Sequence, residues 1–231
     1  ITSNLLDHYR LIELAAQNGA QLIAFPEMSI TGYERENAAE MAFAEDDYRI
    51  DHLKDLAADN NIIIVAGAPI LIENQLFIGE FIIFPNDSVS IYTKQFLHEG
   101  EDEFFESTFD YNPMITIDNQ KISFAICADI DNPKHPENAS KNKTDIYIAS
   151  IFFSPNGIPN AYRDLQSYAE KHKMNVLMSN FSGESWGYPS AGQSAFWNHK
   201  GELIGQMNDS DSGLLLVEKR NDNWTSKIIV A

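Results

Sequence analysis

The feature that most constrains this chain is a series of short runs built around apolar residues: QLIAF at residues 21–25, IIIVAG at 62–67, QLFIGEFIIF at 75–84, KISFAIC at 121–127, DIYIAS at 145–150 and NVLMSN at 175–180. Runs of this length, rich in β-branched and aromatic residues, read as strands buried on both faces, and such strands need cover above and below the sheet. Amphipathic segments can supply it. Leu5, Leu6, Tyr9, Ile12 and Leu14 carry a helical apolar face, with Ser3 or Asn4 as its cap and Gly19 as its end, and Ile50, Leu53, Leu56 and Ala57 do the same within residues 48–60. Further helices are expected over 136–141 and 159–173. The remaining extended runs, SVSIYT, QSAFWN, LIGQM and GLLLVE, are parted by turn signals such as PND, NHKG and NDSDSG, which suit hairpins. Long helices before buried strands, followed by hairpin-like segments, predict a mixed α/β layered fold with helices on the sheet faces.

At 231 residues and 44% hydrophobic, the chain can bury one large core, and it contains no repeat, low-complexity tract or linker, so a single domain over residues 1–231 is expected. The sequence begins without methionine and directly in a helical pattern; an opening strand that is missing and a trimmed sequence both remain open. No apolar run approaches the roughly 20 residues of a membrane span, and the first residues lack a signal-peptide pattern, so the chain reads as soluble and cytoplasmic. Its single cysteine cannot form an internal disulfide. Thirty-four acidic against sixteen basic residues, a formal charge of -18, would repel phosphate backbones and anionic lipid, so neither nucleic acid nor membrane is expected as a partner.

Three positions stand where apolar runs stop. Cys127 follows Ile122, Phe124 and Ile126, Glu27 follows Phe25-Pro26, and Lys94 follows SIYT. Strand ends in layered α/β folds open onto ligand-binding crevices. A nucleophilic cysteine needs a base to take its proton and a cation for the developing oxyanion, roles open to a carboxylate and a lysine. Taken singly, each residue has a plainer reading: a small buried thiol, a helix cap, a surface lysine. The histidines His8, His52, His98, His135, His172 and His199 show no paired ligand spacing, so zinc is not indicated.

Together the three positions resemble the nitrilase superfamily of carbon-nitrogen hydrolases, through GAQLIAFPEMSITGY, YTKQFLHEGEDEFF, ISFAICADIDNPKHPENASKNKTDIYIAS and SAGQSAFWNHKGELIGQ, in the family's order and over essentially the whole chain. The resemblance implies a four-layer αββα sandwich with no metal or organic cofactor. It implies Cys127 as nucleophile, Glu27 as general base and later acid, and Lys94 with the backbone N–H of Ala128 as the oxyanion donors. A second glutamate shortly after the lysine is implied too; Glu101, Asp102 and Glu103 fall in that window, and Glu101 is chosen. The substrate implied is a small-molecule amide, and the assembly a homodimer or higher homo-oligomer.

Two departures from the family pattern bear on substrate. The stretch CADIDNPKHPE is longer than usual and lacks the arginine that some members use for a substrate carboxylate, with Lys134 or Arg163 as weak substitutes. Cys127-Ala128-Asp129 replaces the Cys-Trp-Glu of true nitrilases, which favours amide over nitrile hydrolysis. His135, where the family usually has an aromatic residue, reads as packing or surface. Phe152, Trp186 and Tyr188 are the candidate pocket residues, with Phe153 and Phe181 as further aromatics able to line it. Two rivals stay open: a thiol hydrolase pairing Cys127 with a distant histidine such as His172, and a non-catalytic relative serving as a binding or assembly module. Acyl transfer, in which an amine replaces water, also remains open.

Overall fold

The computed structural model describes residues 1–231, which form two compact units, Ile1–Pro113 and Met114–Ala231. In the first, α1 (Thr2–Gln17) leads to β1 (Leu22–Ala24), α2 (Ala38–Met41) and β2 (Phe43–Ala44); a 3-10 turn at Tyr48–Ile50 then runs into α3 (Asp51–Asn60), followed by β3 (Ile63–Ile72), β4 (Gln75–Ile83) and β5 (Val89–Thr93). The five strands form one sheet in the order β1-β3-β4-β5, with β2 also on β3. β1 and β2 run parallel to β3, whereas β3, β4 and β5 form an antiparallel meander.

Helix α1 buries Leu5, His8, Ile12 and Ala15, an i, i+3/i+4 stripe, and α3 buries Leu53, Leu56 and Ala57. The expected cap at Ser3 or Asn4 is not used: α1 already begins at Thr2, Ile1 stands at its N-cap, and Asn4 instead donates its side-chain amide to the Ile30 carbonyl at 3.2 Å. Asn61 ends α3 in the left-handed conformation (φ 50°), which asparagine tolerates better than most residues.

The second unit holds β6 (Ile115–Ile117), β7 (Gln120–Ile126), α4 (Lys134–Lys141), β8 (Ile146–Ile151), α5 (Ile158–His172), β9 (Asn175–Asn180), β10 (Ser182–Ser185), β11 (Tyr188–Ala191), β12 (Ala195–Trp197), β13 (Leu203–Gln206), β14 (Gly213–Arg220) and β15 (Asn223–Val230). A six-stranded sheet runs β13-β12-β9-β8-β7-β6, and β10–β11 and β14–β15 are separate hairpins. β7, β8 and β9 are parallel, each joined to the next through a helix. Helix α5, opened by Pro159 in its first turn, buries Ile158, Ala161, Leu165 and Ala169 in a core with Tyr147, Ala149, Val176, Met178 and Trp197.

Four hairpins turn on residue pairs that both have positive φ: Glu73-Asn74, Asp118-Asn119, Trp186-Gly187 and Asn221-Asp222. Two such residues match the right-handed strand twist and fix the register of β3–β4, β6–β7, β10–β11 and β14–β15. No helix is long and apolar enough to cross a membrane.

Candidate active site

Glu27 lies just after β1, in a loop bonded to β3 on both sides of it. The Phe25 N–H donates to the Val65 carbonyl at 2.9 Å, and the Ile30 N–H donates to the Gly67 carbonyl at 2.9 Å. The loop approaches so closely that a Cβ on residue 67 would stand 2.5 Å from the Met28 nitrogen, which is why glycine occupies that position. Beneath it, the Gly67 N–H donates to Ser29 Oγ at 3.3 Å, Ser29 Oγ meets His8 Nε2 at 2.9 Å, and His8 Nδ1 lies 2.6 Å from the Asn4 carbonyl. A neutral imidazole protonated on Nδ1 satisfies both contacts, giving its proton to the carbonyl and accepting the serine hydroxyl. Burial pushes the His8 pKa down to about 4, against the opposing pull of the Asn4 carbonyl and Asp7, so the neutral form prevails at neutral pH.

Lys94 follows β5, and its N–H continues the ladder by donating to the Ile78 carbonyl at 2.9 Å. Its ammonium donates to Glu27 Oε1 and to Glu101 Oε1, each at 2.8 Å, and all three side chains are 0% exposed. Glu101 opens a 3-10 turn after Gly100, and its carboxylate also accepts the Tyr33 hydroxyl at 2.6 Å and the His98 N–H at 2.7 Å. Arg35 in turn donates to the Tyr33 oxygen at 2.9 Å and to the Glu99 carbonyl at 3.1 Å. Burial raises the Glu101 carboxyl, but Lys94, Tyr33 and the His98 amide outweigh it, so Glu101 titrates below the ordinary glutamate range. Tyr33 is held far above its usual value by burial first and then by Glu27 and Glu101, which keeps its proton in place as a donor. Asp102 and Glu103 are exposed, so among the acids of this window Glu101 is the one that meets the lysine.

In the second unit, Cys127 begins a 3-10 turn, Cys127–Asp131, immediately after β7. Its φ is +42°, a left-handed conformation that non-glycine residues seldom adopt and that marks a sharp strand-to-turn elbow. The Asp129 carboxylate, fully buried, accepts the Ile126 N–H at 2.8 Å and closes the turn. Ala128 is buried beside the thiol, and Cys127 Sγ lies 3.9 Å from the Phe152 carbonyl. Phe152 packs edge-on against Phe181, with ring centroids 5.7 Å apart. Trp186 and Tyr188 sit at the tip of the β10–β11 hairpin with their rings 5.4 Å apart, and Tyr188 is 57% exposed.

Asn180, absent from the sequence reading, ties the strand ends together. Its Oδ1 accepts the Phe153 N–H at 3.0 Å, and its Nδ2 donates to the carbonyls of Phe153 at 3.3 Å and Gly192 at 2.8 Å. His135 is buried, 2.7 Å from the Tyr147 hydroxyl and 3.9 Å from Asp129 Oδ2, and is therefore a packing residue. Lys134 and Arg163 are surface groups, the latter bonded to Asn160 and Asp164. The rival pairing of Cys127 with His172 does not form. His172 ends α5 ahead of Asn175, which is in register with Ile146 and so with Ile122 where the parallel strands set out, whereas Cys127 follows Ile126 where they end. No three His, Cys, Asp or Glu side chains gather into a metal-ligating group.

Parallel strands with covering helices place the chain in the mixed α/β class; the first unit carries a buried lysine held between two glutamates, and the second a cysteine at a left-handed strand-end elbow. Residues 1–226 match the carbon-nitrogen hydrolase family, and the chain belongs to that family. A curated relative, "Nitrilase" from Pyrococcus abyssi, is 25% identical over 215 residues, covering 90% of this chain and 80% of the relative. Among solved structures, Saccharomyces cerevisiae Nit3, a member of branch 10 of the nitrilase superfamily, superposes with a TM-score of 0.82 at 18% identity, over 91% of this chain and 82% of that one. A mutant of the amidase from Nesterenkonia sp. AN1 in complex with butyramide superposes with a TM-score of 0.80 at 20% identity, over 90% and 82%. Another mutant of that amidase carries the acetamide moiety of fluoroacetamide added covalently at its active-site cysteine. At these identities the structural likenesses establish the fold.

Proposed function

We propose that this carbon-nitrogen hydrolase is an amidase that cleaves a small, non-peptide amide through a thioester on Cys127. The observation that carries the reading is the fully buried Glu27–Lys94–Glu101 group. A lysine between two carboxylates stays protonated, so it acts as a fixed cation and not as a base, which leaves base chemistry to Glu27. Glu27 takes the thiol proton, and the thiolate adds to the amide carbonyl. The oxyanion is held by Lys94 and the Ala128 N–H. Collapse breaks the C–N bond, with the proton from Glu27 going to the leaving nitrogen as ammonia or amine. Glu27 then takes a proton from water, hydroxide adds to the thioester, and the C–S bond breaks to release the acid and restore the thiol.

The Nesterenkonia amidase with its butyramide supports an amide substrate, as does Cys127-Ala128-Asp129 in place of Cys-Trp-Glu. The Pyrococcus relative's name makes a nitrile the second candidate. Ammonia release from small amides, ω-amides, carbamoyl compounds and nitriles decides between them, with intact-mass detection of acyl-enzyme. Amide turnover should vanish in Cys127→Ala and Glu27→Gln, and fall about 10²- to 10³-fold or more in Lys94→Ala. Turnover that survives all three substitutions, or that is confined to nitriles, refutes the proposal.

A further inference from the structure

Strands β8 and β9 close alike, Ser150-Ile151 running out into Phe152 and Ser179-Asn180 into Phe181. The two are parallel neighbours with Ser150 opposite Ser179, and on its other side Ser150 stands opposite Ile126, the residue before the cysteine. Side chains alternate along a strand, so the faces can be sorted. Tyr147, Ala149 and Ile151 of β8, with Val176 and Met178 of β9, enter the core under α5. Ser150 and Ser179 therefore point to the opposite face. Beyond them the Phe152 and Phe181 rings meet edge to face, and the Phe152 carbonyl approaches Cys127 Sγ at 3.9 Å.

Within this group the Ser150 hydroxyl is anomalous. It is fully buried and has no hydrogen-bond partner in the protein. Such a group destabilises a fold, and an alanine would serve packing better. Its burial does not remove it from chemistry, since Glu27 and Lys94 are also 0% exposed.

We propose that Ser150, with Ser179 beside it, forms the hydrogen-bonding floor of an acyl subsite walled by Phe152 and Phe181, and that this subsite takes a neutral polar group on the substrate's acyl chain. This rests on the amidase reading, in which Cys127 receives the acyl group. A hydroxyl or second carboxamide on the chain would satisfy the buried serine. A charged group would not fit, because one or two hydroxyls cannot offset the desolvation of an ion. A plain hydrocarbon would leave Ser150 unsatisfied. The substrate class is thus a short hydroxyacyl amide or a neutral diamide.

The test uses an isosteric pair of probes, 4-hydroxybutyramide and pentanamide, which differ by a hydroxyl against a methyl. Calorimetric binding to the Cys127→Ala protein should favour the hydroxyamide, and adding Ser150→Ala should reduce that preference by about 5- to 100-fold. The Ser150→Ala protein should also melt at or above the wild-type temperature, since no internal hydrogen bond is lost. No binding, no preference, a preference indifferent to Ser150→Ala, or a clear loss of melting temperature overturns the subsite. Ammonia release by the wild-type protein is read separately. Its absence with the preference intact would refute the amidase reading and leave the subsite standing, and its presence without the preference would do the reverse.

Discussion

Replacing Lys94 with methionine keeps an unbranched stem of similar reach and removes the terminal ammonium and its charge. In the native protein the ammonium lies 2.8 Å from one oxygen of Glu27 and 2.8 Å from one oxygen of Glu101, with all three groups out of contact with water. Without it, the two carboxylates stand roughly 5 Å apart, where an effective dielectric near 20 gives a repulsion of about 3 kcal/mol. The loss of a buried ion-pair partner costs about 3–5 kcal/mol, because the remaining charge is left uncompensated. A large fraction of the protein's stability is at stake.

The pH dependence carries a definite sign. In the native protein the Glu101 pKa is depressed, so its stabilising contribution is present above the ordinary glutamate range and is lost as pH falls through the lower folded value. In Lys94→Met the carboxyls bind protons more tightly folded than unfolded, so the deficit grows as pH rises and shrinks as one of them is protonated. Urea unfolding at pH 8 should therefore show the full deficit, and unfolding at pH 5 a smaller one. Adding Glu27→Gln should recover much of the loss at pH 8. A deficit below about 1 kcal/mol, the range of an exposed ion pair, or one that does not change with pH, would refute the argument from burial.

Two other perturbations follow from the same geometry. Asp129→Ala removes the acceptor that closes the turn behind Cys127, and should cost about 1–3 kcal/mol in thermal unfolding and change the alkylation rate of the thiol, with Asp129→Asn closer to wild type in both; equal behaviour of the two variants would deny the carboxylate oxygen this role. His8, with a folded pKa near 4, refuses a proton that the unfolded chain accepts, so wild-type stability should fall by about 3 kcal/mol as pH drops from about 6.5 to about 4. His8→Phe should flatten that slope in pH-dependent unfolding, and an unchanged slope would assign it to other groups.

The legible parts of this molecule were those carried by local pattern. Buried strands such as 62–67 and 175–180 announced themselves by apolar runs, and β3 proved longer than its run because Pro69 and its neighbours continue the pairing with β4. The turns were less legible. Glu73-Asn74, Asp118-Asn119 and Asn221-Asp222 contain no glycine, and take positive φ values through asparagine and aspartate, which tolerate the left-handed region, and through Glu73, which has no such local signal. The β10–β11 hairpin was hidden further, since it places a tryptophan in the left-handed region at its tip. Ser3 and Asn4 looked like caps because capping is a local signal, but Asn4 is drawn to the Ile30 carbonyl, a contact 26 residues away.

The sequence by itself determined that Cys127, Glu27 and Lys94 stand at strand ends, because an apolar run must stop where a chain leaves its sheet, and it set out the motif order of a carbon-nitrogen hydrolase. It singled out Glu101 from Asp102 and Glu103 only through the family resemblance, since the three differ little as residues. Tertiary structure decided that, by turning Glu101 inward to Lys94, Tyr33 and the His98 amide while its neighbours face water. It also decided that His135 packs on Tyr147, that Gly67 admits the Glu27 loop, and that Ser150 is buried without a partner. Each of these depends on what lies across a sheet or a loop, and distance in space is not written in the spacing of residues along a chain.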